Sequence, residues 1–146
     1  MPDTVADILA QKPGEVWSVD PDCTVYDAIA FMAEKNVGAL LVLVGEELAG
    51  IVSERDYARK VILSNRSSRE TAVKEIMTSA VPTVTPSAKV EECMRMVTKE
   101  RVRHLPVVDG GRVAGVISIG DLVKAIISDQ AATIDHLHYY IAGKYP

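Results

Sequence analysis

Residues 19–62 and 84–127 are one sequence element written twice. A shift of 65 positions carries Val19 onto Val84 and runs without a gap to Ile62 and Ile127. Val19, Pro21, Val25, Val37, Leu40, Val42, Gly45, Ala49, Gly50, Ser53, Asp56 and Ile62 all meet identical partners. Upstream, Val73-Lys74-Glu75-Ile76-Met77 matches Val5-Ala6-Asp7-Ile8-Leu9, so the first copy carries three extra residues around Lys12 to Glu15. Solenoids use shorter repeats and at least three of them, so this long period points to a duplicated α+β unit instead. Each copy has only about 60 residues, a length at which an independent core is marginal. The copies are therefore expected to pack sheet to sheet about a pseudo-two-fold axis, leaving two clefts related by that axis.

Within the first copy, Thr4 caps a short helix to Gln11, with Val5, Ile8 and Leu9 on one face. Pro13-Gly14 ends it, and Val16 to Val19 reads as a short strand. Thr24 opens a helix from Val25 to Lys35 whose apolar positions Val25, Ala28, Ile29 and Met32 recur at helical spacing. Leu40 to Val44 is a continuous apolar run, as in a buried strand, and Leu48 to Ser53 is its hairpin partner across Gly45-Glu46-Glu47. A helix follows from Asp56 to Leu63. Ser64 to Arg69 is polar and links the halves. In the second copy Ser87 starts a helix from Ala88 to Glu100. Strands follow at Leu105 to Val108 and Val113 to Ser118 around Asp109-Gly110-Gly111, then a helix from Asp121 to Ile127. The expected units are residues 4–63, residues 72–127 and a helical extension, 128–146. In that extension Ile134, Leu137, His138 and Ile141 share a face, and His136, His138, Tyr139 and Tyr140 suggest an interface or a cap.

The net charge of −4 gives no basic footprint for nucleic acid. No apolar run approaches the roughly 20 residues of a membrane span. The N-terminus lacks a basic stretch followed by an apolar one, so no secretory signal is expected. Cys23 and Cys93 form no C-x-x-C motif and read as reduced thiols of a cytoplasmic protein. No His/Cys spacing resembles a zinc site, and neither a P-loop nor a nucleophile elbow is present, so no metal and no catalysis are expected.

The two copies share the stretch Gly50-Ile51-Val52-Ser53-Glu54-Arg55-Asp56, repeated as Gly115-Val116-Ile117-Ser118-Ile119-Gly120-Asp121. Each reads as a strand end, a Ser, then an Asp opening a helix. One reading is a capping box, worth about 1 kcal/mol, in which Ser and Asp serve only the backbone. The other is a ligand site, because a carboxylate can receive a ribose diol through both oxygens. Spacing alone favours the cap. Arg103-His104 is similarly either a solvated helix end or a phosphate clamp. Arg55, Arg59, Lys60 and Arg66 read as a solvated face, with Arg55 set apart by its place beside Asp56. Trp17 reads as packing before base stacking, and Met32, Met94 and Met96 as core or dimer contacts.

The twofold Gly-aliphatic-aliphatic-Ser-x-x-Asp, with Leu105-Pro106-Val107-Val108-Asp109 before the second copy, resembles the cystathionine-β-synthase (CBS) domain. Two in tandem resemble the pair called a Bateman module, and the resemblance covers residues 4–127. It implies a β-α-β-β-α unit per copy and clefts that bind AMP, ADP, ATP, NAD or S-adenosylmethionine. It implies ribose contacts from Asp56, Asp121, Ser53 and Ser118, phosphate contacts from Arg103, His104 and Arg55, and an adenine pocket of Ser18, Val19, Thr83 and Val84. It also implies a disc-like homodimer. The copies are not equivalent: Gly38-Ala39-Leu40-Leu41 stands where the second has Arg103-His104-Leu105-Pro106, and Arg55 stands opposite Gly120. The expected function is a regulatory module that senses energy or redox state and signals to a separate effector protein. The alternatives are a ligand-free interaction module, or a nucleic-acid binder using Arg55, Arg59, Lys60, Arg66 and Arg69, which the acidic charge opposes.

Overall fold

The computed structural model describes residues 3–12 and 16–128. Helix α1 (Val5–Gln11) begins where the Thr4 hydroxyl accepts from the Asp7 amide and the Asp7 carboxylate accepts from the Thr4 amide. Strand β1 (Ser18–Val19), helix α2 (Val25–Lys35) and the hairpin of β2 (Ala39–Val44) and β3 (Glu47–Ser53) follow. Helix α3 (Glu54–Tyr57) runs into a π-helical turn at Ala58–Ile62. The second copy has a 3₁₀ turn at Val73–Glu75, helix α4 (Val90–Glu100), the hairpin of β4 (His104–Asp109) and β5 (Arg112–Ser118), and helix α5 over 119–128.

The duplication extends to its irregularities. Strand β1 lies parallel to β2 with Val19 opposite Val42, and Val84 makes the equivalent single bridge to Val107. The hairpins share a bulge, between Val42 and Leu43 and between Val107 and Val108. The long helices both end on a left-handed residue, Asn36 (φ 56°) and Arg101 (φ 55°). Asn adopts that conformation readily and Arg does not, so the second cap is the strained one.

Neither copy closes its own core. Val5 and Ile8 of α1 are buried among Val84, Val90, Cys93, Leu105, Val107, Ile117 and Leu122 of the second copy. Reciprocally, Val73 and Ile76 are buried among Val25, Met32, Leu40, Val42 and Val52 of the first. Backbone bonds fix the exchange. The Val5 amide donates to the Ala88 carbonyl at 2.9 Å, and the Val25 amide donates to the Thr71 carbonyl at 2.8 Å. The marginal core expected of each copy is thus completed by its neighbour's entry segment.

Three local expectations are corrected. The helix expected from Asp56 to Leu63 widens, because the Leu63 amide reaches the Ala58 carbonyl at 3.1 Å. Residues 73–77, whose match to residues 5–9 implies a helix like α1, form only one turn, because Thr78 leaves to exchange two backbone bonds with Ile51, at 2.9 and 3.0 Å. Ser87 caps nothing: α4 starts after Lys89, and the Ser87 hydroxyl pairs with that of Thr85 at 3.0 Å. Met32 is buried, and Met94 and Met96 pack on the second core. Cys23 and Cys93 are free thiols in separate cores, and burial pushes both pKa values up. No helix among the described residues is long and apolar enough to cross a membrane. The expected apolar face of Ile134, Leu137, His138 and Ile141, with His136, Tyr139 and Tyr140, lies outside the described residues.

Candidate functional site

Strands β3 and β5 pack against each other, and two clefts lie along this junction. Cleft A, about 340 Å³, is lined by Lys12, Val16, Trp17 and residues 37–41 of the first copy and by Ala114, Gly115, Val116 and Ser118 of the second. Cleft B, about 380 Å³, is lined by Ile51 and Ser53 to Asp56 of the first copy and by Thr78, Val81, Pro82 and Arg101 to His104 of the second. The 65-residue shift relates them: Val16, Trp17, Gly38, Ala39 and Ser118 in A become Val81, Pro82, Arg103, His104 and Ser53 in B. Both volumes fall within the range of about 300–1,000 Å³ typical of small-molecule sites.

Both Ser–Asp turns are capping boxes. The Ser53 amide donates to Asp56 Oδ2 at 2.9 Å, and the Asp56 amide donates to Ser53 Oγ at 3.2 Å. The Ser118 amide donates to Asp121 Oδ2 at 2.8 Å, and the Asp121 amide donates to Ser118 Oγ at 3.1 Å. The cap does not consume the carboxylate. Asp56 also lines cleft B, with its Oδ1 3.2 Å from Lys60 Nζ, one turn along its own helix. Asp121 differs. Lys12 Nζ donates to its Oδ2 at 2.8 Å and to the Val116 carbonyl at 2.9 Å. Asp121 is not among the residues lining cleft A; it lies on a separate hollow of about 100 Å³ together with Lys12 and Lys124. Burial pushes the Asp121 carboxyl up, but the Lys12 and Ser118 hydrogen bonds outweigh it and hold the pKa below the usual carboxylate range.

Arg55, Arg101 and Arg103 converge on cleft B, and none forms an ion pair among the described residues. The other basic residues are largely engaged elsewhere: Lys60 with Asp56, Arg66 with Glu75, and Arg69 over the Tyr26 ring at 3.9 Å. Arg101 escaped sequence reasoning because its side chain enters the cleft only through the left-handed turn at the end of α4.

His104 lines both clefts and faces Ser118 across the β4–β5 hairpin. Burial, and then the Lys12 charge, push its pKa below the usual value of 6.5, against an opposing pull from Asp121. The unfolded chain therefore binds the proton more tightly, so stability falls as pH drops through about 6.5 toward the lowered value. Denaturant midpoints measured across that window should fall with pH in the wild type and flatten in His104→Gln. An unchanged slope in the variant would assign the effect to other groups.

Ser18, Val19, Thr83 and Val84, expected around an adenine, line neither cleft. Val84 donates to the Pro106 carbonyl and accepts from the Val108 amide, which turns its side chain into the second core. The residues at the clefts are Val16 and Trp17, or Val81 and Pro82, two positions earlier. Trp17 meets Phe31 edge-to-face at 5.9 Å under the Lys35 ammonium, so it packs and lines cleft A at once. Among the described residues no cluster of His, Cys, Asp or Glu could hold a metal.

The sequence model of the CBS domain matches the chain twice, at residues 5–63 and 73–128. A mitochondrial CBS-domain protein of Arabidopsis thaliana, CBSX3, is 41% identical over 97% of this chain and 73% of its own length. The structure of a CBS-domain protein from Burkholderia ambifaria MC40-6 is 57% identical, with a TM-score of 0.84 over 87% of this chain and 96% of that one. CBSX2, solved in complex with AMP, is 27% identical, with a TM-score of 0.71 over 88% of this chain and 98% of that one.

Proposed function

Because the chain belongs to the CBS-domain family and carries two such domains in tandem, we propose that it is a regulatory module that binds an adenine nucleotide in cleft B and signals that state to a separate protein. The observation that carries this reading is the meeting in one cleft of Asp56 with the guanidinium groups of Arg55, Arg101 and Arg103. A ribose diol would lie on Asp56 and Ser53, the phosphate on the arginines and His104, and the base against Ile51, Val81 and Pro82. Arginine forks match phosphate oxygens in bidentate fashion, and the concentration of positive charge selects anionic nucleotides over cationic S-adenosylmethionine. AMP, ADP, ATP and NAD all meet that requirement. The AMP complex of CBSX2 supports the ligand class, and the proposed signal-transduction role of the Burkholderia ambifaria protein supports a regulatory output.

Cleft B takes residues from both copies, so a ligand there bridges them and biases their relative arrangement, as coupling to a partner requires. Exposed Ile62 and Leu63 on the first copy, and Ile119, Val123 and Ile127 on the second, suit a second copy of this chain, which sedimentation equilibrium would show as a homodimer. Calorimetric titration with AMP, ADP, ATP, NAD and S-adenosylmethionine tests the ligand. Saturation at about 100 Kd should stabilise the fold by about 2.7 kcal/mol. Absence of both heat and thermal shift across the panel would overturn the reading in favour of a ligand-independent interaction module.

A further inference from the structure

The two clefts share a design, and Lys12 is one of the side chains that set them apart. Lys12 belongs to the extra residues of the first copy, and nothing in the second copy corresponds to it. It terminates α1, whose Val5 and Ile8 are anchored in the second core, and this anchoring places its ammonium beside the second copy's Asp121. One contact to Asp121 Oδ2 and one to the Val116 carbonyl, at 2.8 and 2.9 Å, hold it there. Lys12 lines cleft A on one side and the small hollow containing Asp121 on the other. Asp56 has the same capping box and also has a lysine neighbour. However, Lys60 reaches it along its own helix, is tethered to the Ile76 carbonyl at 2.9 Å, and leaves Asp56 on the wall of cleft B.

We propose that Lys12 is the selectivity residue of cleft A: it screens Asp121 from the cleft, so that a nucleoside is retained only if it brings an anionic group to draw the ammonium away. This rests on the reading that the Ser–Asp turns hold ribose. A neutral nucleoside entering cleft A must break a charge-assisted contact and offers nothing in exchange, whereas a phosphate gives Lys12 a replacement partner. Cleft B, with Asp56 on its wall, carries no such condition.

Trp17 is the chain's single tryptophan, and it lines cleft A and not cleft B, so its fluorescence reports cleft A while calorimetry reports both. The full chain is titrated with adenosine and with AMP as wild type, Lys12→Met and Lys12→Arg. Lys12→Met should strengthen adenosine binding at Trp17 by about tenfold or more, the loss of one charge-assisted competitor, and should shrink the preference for AMP. Lys12→Arg keeps the charge and should behave like the wild type. Both partners are partly exposed, and equal melting temperatures of the variants would show that the fold is kept. Adenosine affinity at Trp17 that is unchanged or weaker in Lys12→Met overturns the proposal. If calorimetry still shows AMP binding in that case, Lys12 alone loses its role. If neither ligand binds any variant, the nucleotide reading falls with it.

Discussion

Gly50→Ala should lower the melting temperature by about 10 °C, and Gly115→Ala by less than half of that. The two glycines are equivalent in the duplication, and both have unexceptional backbone angles, so the difference lies in what each faces. A methyl at Gly50 would stand 2.6 Å from the Thr78 carbonyl oxygen and 2.9 Å from Met77 Sδ. That carbonyl is held by the Ile51 amide, and Thr78 returns a bond to the Ile51 carbonyl, so the backbone cannot yield without breaking both. Losing two hydrogen bonds of about 1 kcal/mol each, with overpacking of about 1–3 kcal/mol, gives a cost of about 3–5 kcal/mol. A chain of this size shifts by about 2–4 °C per kcal/mol. A methyl at Gly115 would instead meet Leu9 Cδ2 at 2.7 Å, the far end of a side chain that can turn for about 0.5–1.5 kcal/mol. Scanning calorimetry of the two variants decides the matter, and equal shifts would show that the Thr78 crossing is not rigid. Thr78 also lines cleft B, so Gly50→Ala should loosen ligand binding there as well.

Asp56→Ala should weaken nucleotide binding in cleft B about 100-fold, while Asp121→Ala should change binding in that cleft less than about threefold. Two charge-assisted hydrogen bonds to a diol, at about 1.5 kcal/mol each, account for the first figure. The second follows from position, since Asp121 lies on a separate hollow and does not line cleft B. Each substitution also removes one side of a capping box, at about 1 kcal/mol, so stability loss alone cannot produce the difference. Calorimetric titration of both variants with AMP is the measurement, with Trp17 fluorescence identifying the part of the signal that belongs to cleft A. Equal losses in cleft B would mean that the carboxylates act there through the fold and not by contact, and no loss in Asp56→Ala would reduce its Ser–Asp turn to a helix cap.

Much of the fold is legible in the residues. The capping pairs Thr4 with Asp7, Ser53 with Asp56 and Ser118 with Asp121 are local, and local hydrogen-bonding chemistry at three-residue spacing reveals them. The apolar runs at Leu40 and Leu105 and the glycine turns after them mark hairpins for the same reason. The π-helical turn at Ala58–Ile62 and the truncated helix at Val73 were not legible, because contacts distant in sequence, Lys60 to Ile76 and Thr78 to Ile51, accompany them. The expected adenine positions stand two residues from those lining the clefts, since a strand this short does not reveal which residues it turns inward.

The sequence by itself determined that this chain is a duplicated α+β unit with two Ser–Asp turns and unequal basic residues, because identities at a constant offset and short-range caps are written in the order of the residues. Only the tertiary structure decided that each copy completes the other's core, that Arg101 joins Arg55 and Arg103, and that Lys12 closes on Asp121. These pairings join residues distant in the chain, 109 positions apart for Lys12 and Asp121, or arise from a single left-handed turn. Their geometry follows from which apolar surfaces must be buried together, which no local pattern specifies.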